Sequence, residues 1–276
     1  MSIPRLMPLT LGRILAPIPK ATGYAGGLRE NDGLVAAVRG LGGLGRWPVK
    51  LMAVILPRIM ADNSNERTLR RLLDCGVVAV LRLPFADLLP DVARALVAGG
   101  VLAVEVTMTT PNAIEGISRL TRELGDEAII GIGTVLDAQT CRRAIEAGAQ
   151  YVVSPAFDEA VHQATKDNGK LSMPGAMTPT EILRAWNAGA DVVKVFPSTA
   201  LGPGYFRDVL APLPHVKLMP TGGVDLGNVG DWIRAGAVCV GTGSHLVPKD
   251  AVAKKDWNAI TANAKAFVEA VQAARK

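Results

Sequence analysis

The chain has 276 residues, of which 49% are apolar, 20% charged and 4% aromatic, and its formal net charge is +5. This apolar content excludes an intrinsically disordered chain, and the length fits one large α/β domain or two small ones. The cysteines, Cys75, Cys141 and Cys239, are odd in number and far apart, which excludes a disulfide framework or a paired Cys-x-x-Cys site and indicates reduced thiols in a cytoplasmic compartment.

The positive charge is concentrated at the N-terminus. Residues 1–59 carry eight Lys or Arg and two acidic residues, which leaves 22 basic and 23 acidic residues in 60–276. This first segment has frequent Pro and Gly and no sustained periodicity. We therefore predict an N-terminal extension over 1–59 and a single domain over 60–276.

Three explanations are open for this extension. An organelle transit peptide fits the excess of arginine, but Ser2 is the only serine before Ser64. A secretory signal needs an uninterrupted apolar region, which Arg13 and several prolines break, and the run MAVILPRI is too short to span a bilayer. We favour an over-extended start with the natural beginning at Met60, with a poorly ordered tail or a targeting segment as the alternatives.

From Ser64 onward, short apolar runs alternate with helical patterns. Continuous Val, Ile and Leu runs are typical of parallel strands covered on both faces. Eight such units in about 200 residues match a (β/α)₈ TIM barrel better than an open doubly wound sheet. The predicted strands are VVAVLR (77–82), LAVEVT (102–107), AIIGIG (128–133), YVVS (151–154), LSMPG (171–175), VVKVF (192–196), VKLMP (216–220) and VCVG (238–241).

Helix signals separate these strands. Asp137, Thr178 with Glu181, and Asp225 each precede a helical pattern as a predicted N-terminal cap. Three helices end on Ala-Gly-Ala, where the glycine is expected to adopt the left-handed conformation that closes a helix. We expect chemistry at the carboxyl ends of the strands, as in other barrels of this class.

Two charged residues interrupt otherwise apolar strands. Lys194 lies inside VVKVF, where a buried amine is costly unless it is neutral, paired or used, and a neutral amine can attack a ketone. Glu105 has the matching position in VEVT and could transfer protons with a raised pKa. The alternatives are a lysine that reaches solvent and an ion pair of Glu105 with Lys194 or Arg82.

Glycine-rich loops follow the seventh and eighth predicted strands. Gly222 and Gly223 follow Thr221, and the run from Gly241 to Ser244 follows the last strand. Glycines at these places allow backbone N–H groups to approach an anion, and these two loops often form the phosphate site of a barrel. The motifs predict a phosphate site, with tight turns that bind no ligand as the alternative.

Other motifs do not support further sites. The glycine pairs in GIGTVL and GTGSHL lack the third glycine of a dinucleotide fingerprint. His162, His215 and His245 lack metal-ligand spacing, so we predict no metal. Basic clusters without interleaved aromatic residues predict no nucleic-acid partner, and no segment is long enough to predict a membrane span.

Ordered motifs over roughly 68–274 resemble one family, the 2-keto-3-deoxy-6-phosphogluconate (KDPG) and 4-hydroxy-2-oxoglutarate (KHG) aldolases, with the related phosphogalactonate (KDPGal) aldolases. The resemblance implies a class I aldolase, a lyase without a metal or other cofactor, and a homotrimer. It also implies a helix near 64–75 that closes the base of the barrel. The motifs that carry the resemblance are AVLR, ALVAGGVLAVEVT, IGIGTVL, YVVSPAFDE, MPGAMTPTEI, VVKVFPS, PTGGV and GTGSHLVP.

The resemblance also implies a role for each candidate residue. Lys194 would form a Schiff base with pyruvate, and Glu105 would be the general acid and base. Arg82 would contact a carboxylate or hydroxyl of the substrate. The pyruvate pocket would be shaped by Thr134, Pro155 and Phe196, and the distal phosphate would be held by Gly222, Gly223 and Ser244.

One residue departs from the family pattern. In the phosphogluconate-specific members of the family that the motifs resemble, an arginine that binds the substrate carboxylate usually stands where this chain has Thr109, in EVTMTT. A threonine cannot form a bidentate carboxylate contact, so Arg82 is expected to take over. The resulting hypothesis is an aldolase that cleaves a phosphorylated 2-keto-3-deoxy sugar acid to pyruvate and D-glyceraldehyde 3-phosphate. The alternatives are a phosphate-binding barrel isomerase, epimerase or synthase, or a weakened barrel that serves as a binding protein.

Overall fold

The computed structural model describes residues 64–276 of the chain. The predicted extension over 1–59 and the proposed start at Met60 lie outside the described residues. The predicted boundary between the extension and the domain therefore stays a prediction. The first described element is helix α1, over 64–75.

All eight predicted strands are present, and all of their pairings are parallel. The fifth predicted strand is divided into two short strands, which gives nine in the described part of the chain. The strands are β1 (Val77–Leu81), β2 (Ala103–Thr107), β3 (Ile129–Gly133), β4 (Tyr151–Val153), β5 (Leu171–Met173), β6 (Gly175–Ala176), β7 (Val193–Val195), β8 (Leu218–Pro220) and β9 (Val240–Thr242).

Helices alternate with these strands, as the repeat in the sequence predicts. The helices between strands each join the end of one strand to the start of the next on the outside of the barrel, and the last two helices follow β9. The α-helices after α1 are α2 (Leu89–Ala98), α3 (Ala113–Leu124), α4 (Ala138–Glu146), α5 (Glu159–Asp167), α6 (Pro179–Ala188), α7 (Gly202–Leu210), α8 (Val229–Arg234), α9 (Lys249–Lys254) and α10 (Trp257–Ala274).

The strands form a closed ring. One sheet has the order β5-β4-β3-β2-β1-β9, and the other has the order β6-β7-β8. The two sheets are continuous at Pro174, which joins β5 to β6, and at a parallel bridge between Thr221 and Gly241. The predicted (β/α)₈ barrel is confirmed.

Side chains of alternate residues face opposite sides of the barrel wall. Val77, Ala79 and Leu81 of β1 belong to the core between strands and helices, whereas Val78 belongs to an inner cluster. This inner cluster includes Leu72 of α1, which is fully buried. Continuous apolar runs in the sequence reflect burial of both faces of every strand.

Two of the predicted helix caps are confirmed and one is wrong. The Asp137 side chain accepts a hydrogen bond from Thr140 N, and Thr178 and Glu181 form a reciprocal capping box. Asp225, in contrast, accepts from the N–H groups of two residues that precede helix α8, which begins only at Val229. An aspartate bonded to backbone N–H groups two and three residues later favours a turn, so Asp225 closes a turn before the helix.

The three Ala-Gly-Ala segments end helices as predicted. Gly148, Gly189 and Gly236 have φ values of 114°, 105° and 101°. This left-handed region is costly for residues with a Cβ atom. The glycines therefore allow the short connections from α4, α6 and α8 into the next strands.

The break between β5 and β6 lies next to Lys194. Pro174 has no N–H group to donate to a ladder, but its carbonyl oxygen accepts a hydrogen bond from Lys194 N at 2.9 Å. On the other side of β7, Lys194 is in register with Met219 of β8. The lysine backbone is thus held between two neighbouring strands.

Replacing Gly131 should test the packing inside the barrel. A Cβ atom built on Gly131 would overlap the ring of Tyr151, whereas one built on Gly204 meets nothing closer than the Arg207 guanidinium at 3.7 Å. We expect Gly131→Ala to lower the free energy of unfolding by about 1–3 kcal/mol. Gly204→Ala, in a helix, should leave it unchanged or raise it by up to about 1 kcal/mol. Denaturant unfolding measures both, and equal effects would contradict the packing described here.

Candidate active site

Glu105 and Lys194 lie inside the barrel. Glu105 is the third residue of β2 and is fully buried, and Lys194 is the central residue of β7 with a relative exposure of 3%. On β2, the outward neighbours Val104 and Val106 pack in the outer core, which leaves Glu105 on the inner face. The structure thus brings the two charged residues together within the barrel, as the sequence predicts.

The amino group of Lys194 lies beside an aromatic ring. Its Nζ is 5.0 Å from the centre of the Phe196 ring, two residues farther along the chain. Residues two apart on a strand share a face, so Phe196 lies above Lys194 toward the mouth of the barrel. This contact restricts the direction in which the lysine side chain extends.

The Glu105 carboxyl group is buried without hydrogen bonds. Neither of its oxygens has a partner in the described part of the chain. Burial raises the pKa of Glu105 above its ordinary value, and the positive charges of Lys194 and Arg82 counteract only part of this increase. Gly133 provides the space for the side chain, since a Cβ atom there would overlap the carboxyl group. The result is a carboxyl group that holds its proton more readily than an exposed glutamate does.

The predicted phosphate residues line one cavity at the mouth. This cavity has a volume of about 450 Å³, and its wall includes Arg82 and Phe196 as well as the predicted Gly222, Gly223 and Ser244. Gly222 and Gly223 have φ values of 97° and 73°. A side chain there would also crowd Thr199, so both backbone conformation and space favour glycine.

Two further cavities adjoin this one through shared residues. Pro155 and Phe196 line a cavity of about 320 Å³, which fits their predicted place beside a pyruvate pocket. Arg82 and Thr109 line another of about 770 Å³. Thr134 lines none of these three cavities, but it follows β3 directly and has a left-handed φ of 61°.

The Thr109 hydroxyl is already engaged within the protein. It lies 2.7 Å from the Thr107 hydroxyl, which in turn donates a hydrogen bond to the carbonyl oxygen of Leu81 at 2.9 Å. A threonine in this arrangement cannot reach across the cavity as an arginine would. Arg82 lines both this cavity and the 450 Å³ cavity, so it is better placed than Thr109 to contact a carboxylate.

Sequence reasoning missed two groups in the mouth. Lys249, the first residue of α9, lines the same two cavities as Arg82. The Thr221 hydroxyl is buried without a hydrogen-bond partner in the described part of the chain and lies in the wall of the 450 Å³ cavity. In the sequence, Lys249 does not differ from other surface lysines, and Thr221 is marked only as part of the glycine loop.

Residues 64–276 contain neither a cluster of metal ligands nor a candidate membrane span. No group of three or more His, Cys, Asp or Glu side chains is placed to hold a metal ion in this range. Within the same range, no helix combines the length and apolar character needed to cross a bilayer. His162 is buried, and its two ring nitrogens form hydrogen bonds with the Ser172 hydroxyl and the carbonyl oxygen of Ala188.

The chain is similar to known proteins of one family. Residues 69–263 match the family model described as KDPG and KHG aldolase. The chain is 37% identical over 187 residues to 2-dehydro-3-deoxy-phosphogluconate aldolase of Treponema pallidum (strain Nichols), over 67% of this chain and 89% of that protein. It is 33% identical to 2-dehydro-3-deoxy-6-phosphogalactonate aldolase of Escherichia coli (strain K12), over 71% of this chain and 96% of that protein.

A solved structure is also similar. It is KDPG aldolase from Legionella pneumophila with pyruvate captured at low pH as a covalent carbinolamine intermediate. The two chains are 28% identical with a TM-score of 0.68, and the match covers 72% of this chain and 97% of the other.

The buried state of Glu105 predicts how stability depends on pH. Because burial raises the folded-state pKa of Glu105, the folded protein retains a proton that the unfolded chain releases above about pH 4.3. Glu105 should therefore cost stability as pH rises from about 4.3 to its folded-state pKa. We expect Glu105→Gln to be more stable than the wild type at pH 8, and equally stable at pH 4, by denaturant unfolding.

Glu181→Gln provides a control with the opposite sign. Backbone N–H groups of Met177 and Thr178 lower the pKa of Glu181, so its ionised form contributes stability that is present above its unfolded pKa and lost as pH falls through the lower, folded pKa. This variant should be less stable than the wild type at pH 8. If Glu105→Gln behaved in the same way, the electrostatic description of Glu105 would be wrong.

Proposed function

Because the chain belongs to the KDPG and KHG aldolase family, we propose that it is a class I aldolase that uses Lys194 as its Schiff-base nucleophile. The substrate class is a 2-keto-3-deoxy-6-phospho sugar acid, and the products are pyruvate and D-glyceraldehyde 3-phosphate. The single observation that supports this function best is the pair of buried groups, Lys194 and Glu105, inside the barrel. The carbinolamine captured in the Legionella enzyme gives the chemical precedent.

Lys194 begins the reaction. Its amine attacks the C2 ketone of the substrate in the unprotonated form, and the protonated Glu105 gives its proton to the departing hydroxyl, so that the carbinolamine loses water and becomes an iminium ion. The iminium accepts the electron pair of the C3–C4 bond. It thereby lowers the activation barrier of the cleavage step, which would otherwise form a carbanion at C3 of the substrate. A lysine fixed on a strand between two neighbouring strands, with Phe196 beside its amino group, presents this nucleophile in one direction.

Glu105 moves the protons. As a carboxylate, it removes the proton of the C4 hydroxyl, directly or through a water molecule, while the C3–C4 bond breaks to an aldehyde and an enamine of pyruvate. The protonated Glu105 then returns a proton to C3 of the enamine, and hydrolysis frees pyruvate and the lysine. A carboxyl group must both accept and donate a proton in this sequence, and its raised pKa makes it a better proton acceptor than an exposed glutamate.

The cavity at the mouth has features suited to phosphate. Gly222 and Gly223 expose backbone there, Ser244 adds a hydroxyl, and Arg82 and Lys249 add positive charge. We assign the distal phosphate to this cavity. Binding at a group remote from the reacting bond supplies energy that positions the C3–C4 bond over Lys194.

The substrate carboxylate and the configuration at C4 are separate questions. With Thr109 in place of the family arginine, we assign the carboxylate or an adjacent hydroxyl to Arg82, beside Thr134 and Pro155.

The gluconate and galactonate compounds share the keto acid and the phosphate and differ in configuration at C4. Relatives named for each compound match this chain over similar lengths, so the proposal covers both epimers.

The buried pair also discriminates between this function and the alternatives. A phosphate-binding isomerase, epimerase or synthase would use the glycine loops but has no need for a buried lysine on β7. A barrel retained only for binding would have no need to keep Glu105 buried at a cost in stability. The homotrimer and the cytoplasmic location stay predictions, and light scattering on the purified chain measures the first.

Replacing Lys194 tests the proposed nucleophile. Lys194→Met removes the amine and keeps an unbranched apolar side chain, so cleavage of the KDPG or KDPGal substrate should decrease by about a thousandfold or more. Lys217→Met is the matched control, because Lys217 contacts Trp186 and precedes β8 at the opposite end of the barrel. A coupled assay for pyruvate release measures both. Retained cleavage in a folded Lys194→Met protein would refute the role of Lys194.

Replacing Lys249 tests the phosphate assignment. Lys249 is exposed at the edge of the cavity, and exposed ion pairs contribute modestly, so Lys249→Met should raise KM for the phosphorylated substrate roughly two- to fivefold with little change in kcat. The increase should diminish at high salt, because salt screens exposed charges. Lys265→Met, on the outer helix α10, should leave KM unchanged. Equal KM values for the wild type, Lys249→Met and Lys265→Met would show that Lys249 does not contact the phosphate.

A further inference from the structure

Tyr151 lies on the inner face of the barrel in one row with Glu105. In the register of the sheet, Glu105 on β2 is paired with Gly131 on β3, and Gly131 is paired with Tyr151 on β4. Paired residues of neighbouring strands project their side chains to the same face. Since Gly131 has no side chain, nothing from the central strand at this level separates Glu105 from Tyr151.

The tyrosine ring extends into this gap. A Cβ atom built on Gly131 would overlap the hydroxyl-bearing end of the Tyr151 ring, and one built on Gly133 would overlap the Glu105 carboxyl group. Gly131 and Gly133 are two residues apart on one strand and therefore lie on the same face. The phenol and the carboxyl group thus occupy neighbouring spaces that two glycines provide.

Both groups are buried and have unsatisfied polar atoms. Tyr151 is fully buried, and its hydroxyl has no hydrogen-bond partner in the described part of the chain, as is also true of both Glu105 oxygens. Buried polar atoms in folded proteins are almost always hydrogen-bonded, to protein or to internal water. A phenol can donate one hydrogen bond, and an ionised carboxylate can only accept, so the two groups are complementary.

We propose that the Tyr151 hydroxyl donates a hydrogen bond to one water molecule that in turn donates to the Glu105 carboxylate, and thereby positions the general base. The role of Glu105 in this statement rests on the proposed function. Burial and the neighbouring charge of Glu105 raise the pKa of Tyr151 well above its ordinary value, so the phenol remains a donor throughout the working pH range. Tyr151 is a positioning residue, because it acts through Glu105.

This hydrogen bond would oppose the effect of burial on Glu105. A bond donated to the ionised form stabilises that form and lowers the pKa of the acid. The charged groups that act on Glu105 are Lys194 from β7 and Arg82 from the end of β1. Besides Glu105, the titratable groups that act on Tyr151 are Cys239 and Cys75. Removing the phenol hydroxyl would leave the two cations in place and change only the hydrogen bond.

Direct titration of Glu105 tests the proposal without requiring activity. In the full chain labelled with ¹³C at glutamate carboxyl carbons, the Glu105 resonance is the one lost in Glu105→Gln. We expect Tyr151→Phe to raise the pKa of Glu105 by about one unit. Tyr205→Phe removes a phenol that donates to the carbonyl of Met177 instead, and it should leave the pKa of Glu105 unchanged. An unchanged or lower pKa in Tyr151→Phe would overturn the proposal.

Two further measurements keep the test decisive. If Tyr151→Phe does not fold, site-specific 3,5-difluorotyrosine at position 151 gives a more acidic donor, which should lower the pKa of Glu105; no decrease would overturn the proposal. In the active enzyme, the acid limb of the pH profile of kcat/KM for cleavage should move to higher pH in Tyr151→Phe, by as much as the pKa of Glu105 rises. A wild-type protein that does not cleave the substrate would refute the proposed function, whereas the titration would still decide the role of Tyr151.

Discussion

The burial of Glu105 beside Lys194 inside a closed barrel is the constraint on which the rest of the site depends. A carboxyl group in this position is costly, because burial raises its pKa more than the charges of Lys194 and Arg82 lower it. The same environment makes the group useful, since a carboxyl group with a raised pKa accepts a proton more readily and can then return it to the substrate. The burial of Glu105 therefore accounts both for its chemical role and for a local loss of stability.

The barrel accommodates this pair by omitting side chains around it. Gly133 leaves space for the carboxyl group, Gly131 leaves space for the ring of Tyr151, and a side chain on Gly175 would overlap the carbonyl oxygen of Pro155. These three glycines lie on strands, where glycine weakens the local structure. They are explained by the close approach of functional groups inside the barrel rather than by a need for unusual backbone conformation.

Much of the fold and part of the site could be predicted from the sequence. Apolar runs of strand length and the glycines that end helices are local signals, and Lys194 and Glu105 stand out because each interrupts an apolar strand. The position of Tyr151 beside Glu105 and the place of Lys249 in the cavity wall could not be predicted in this way. Both depend on strand register and on the meeting of loops that are distant in sequence, and neither position differs locally from an ordinary core or surface residue.

The central claim is that the Lys194 amine forms a covalent bond with the keto acid. Borohydride reduction of the full chain with pyruvate, followed by peptide mass spectrometry, tests it most directly, because reduction converts a transient iminium into a stable amine. The account predicts one modified peptide, with the added mass on Lys194, and no such peptide without pyruvate. An adduct on another lysine, or none in a protein that cleaves its substrate, would contradict the account.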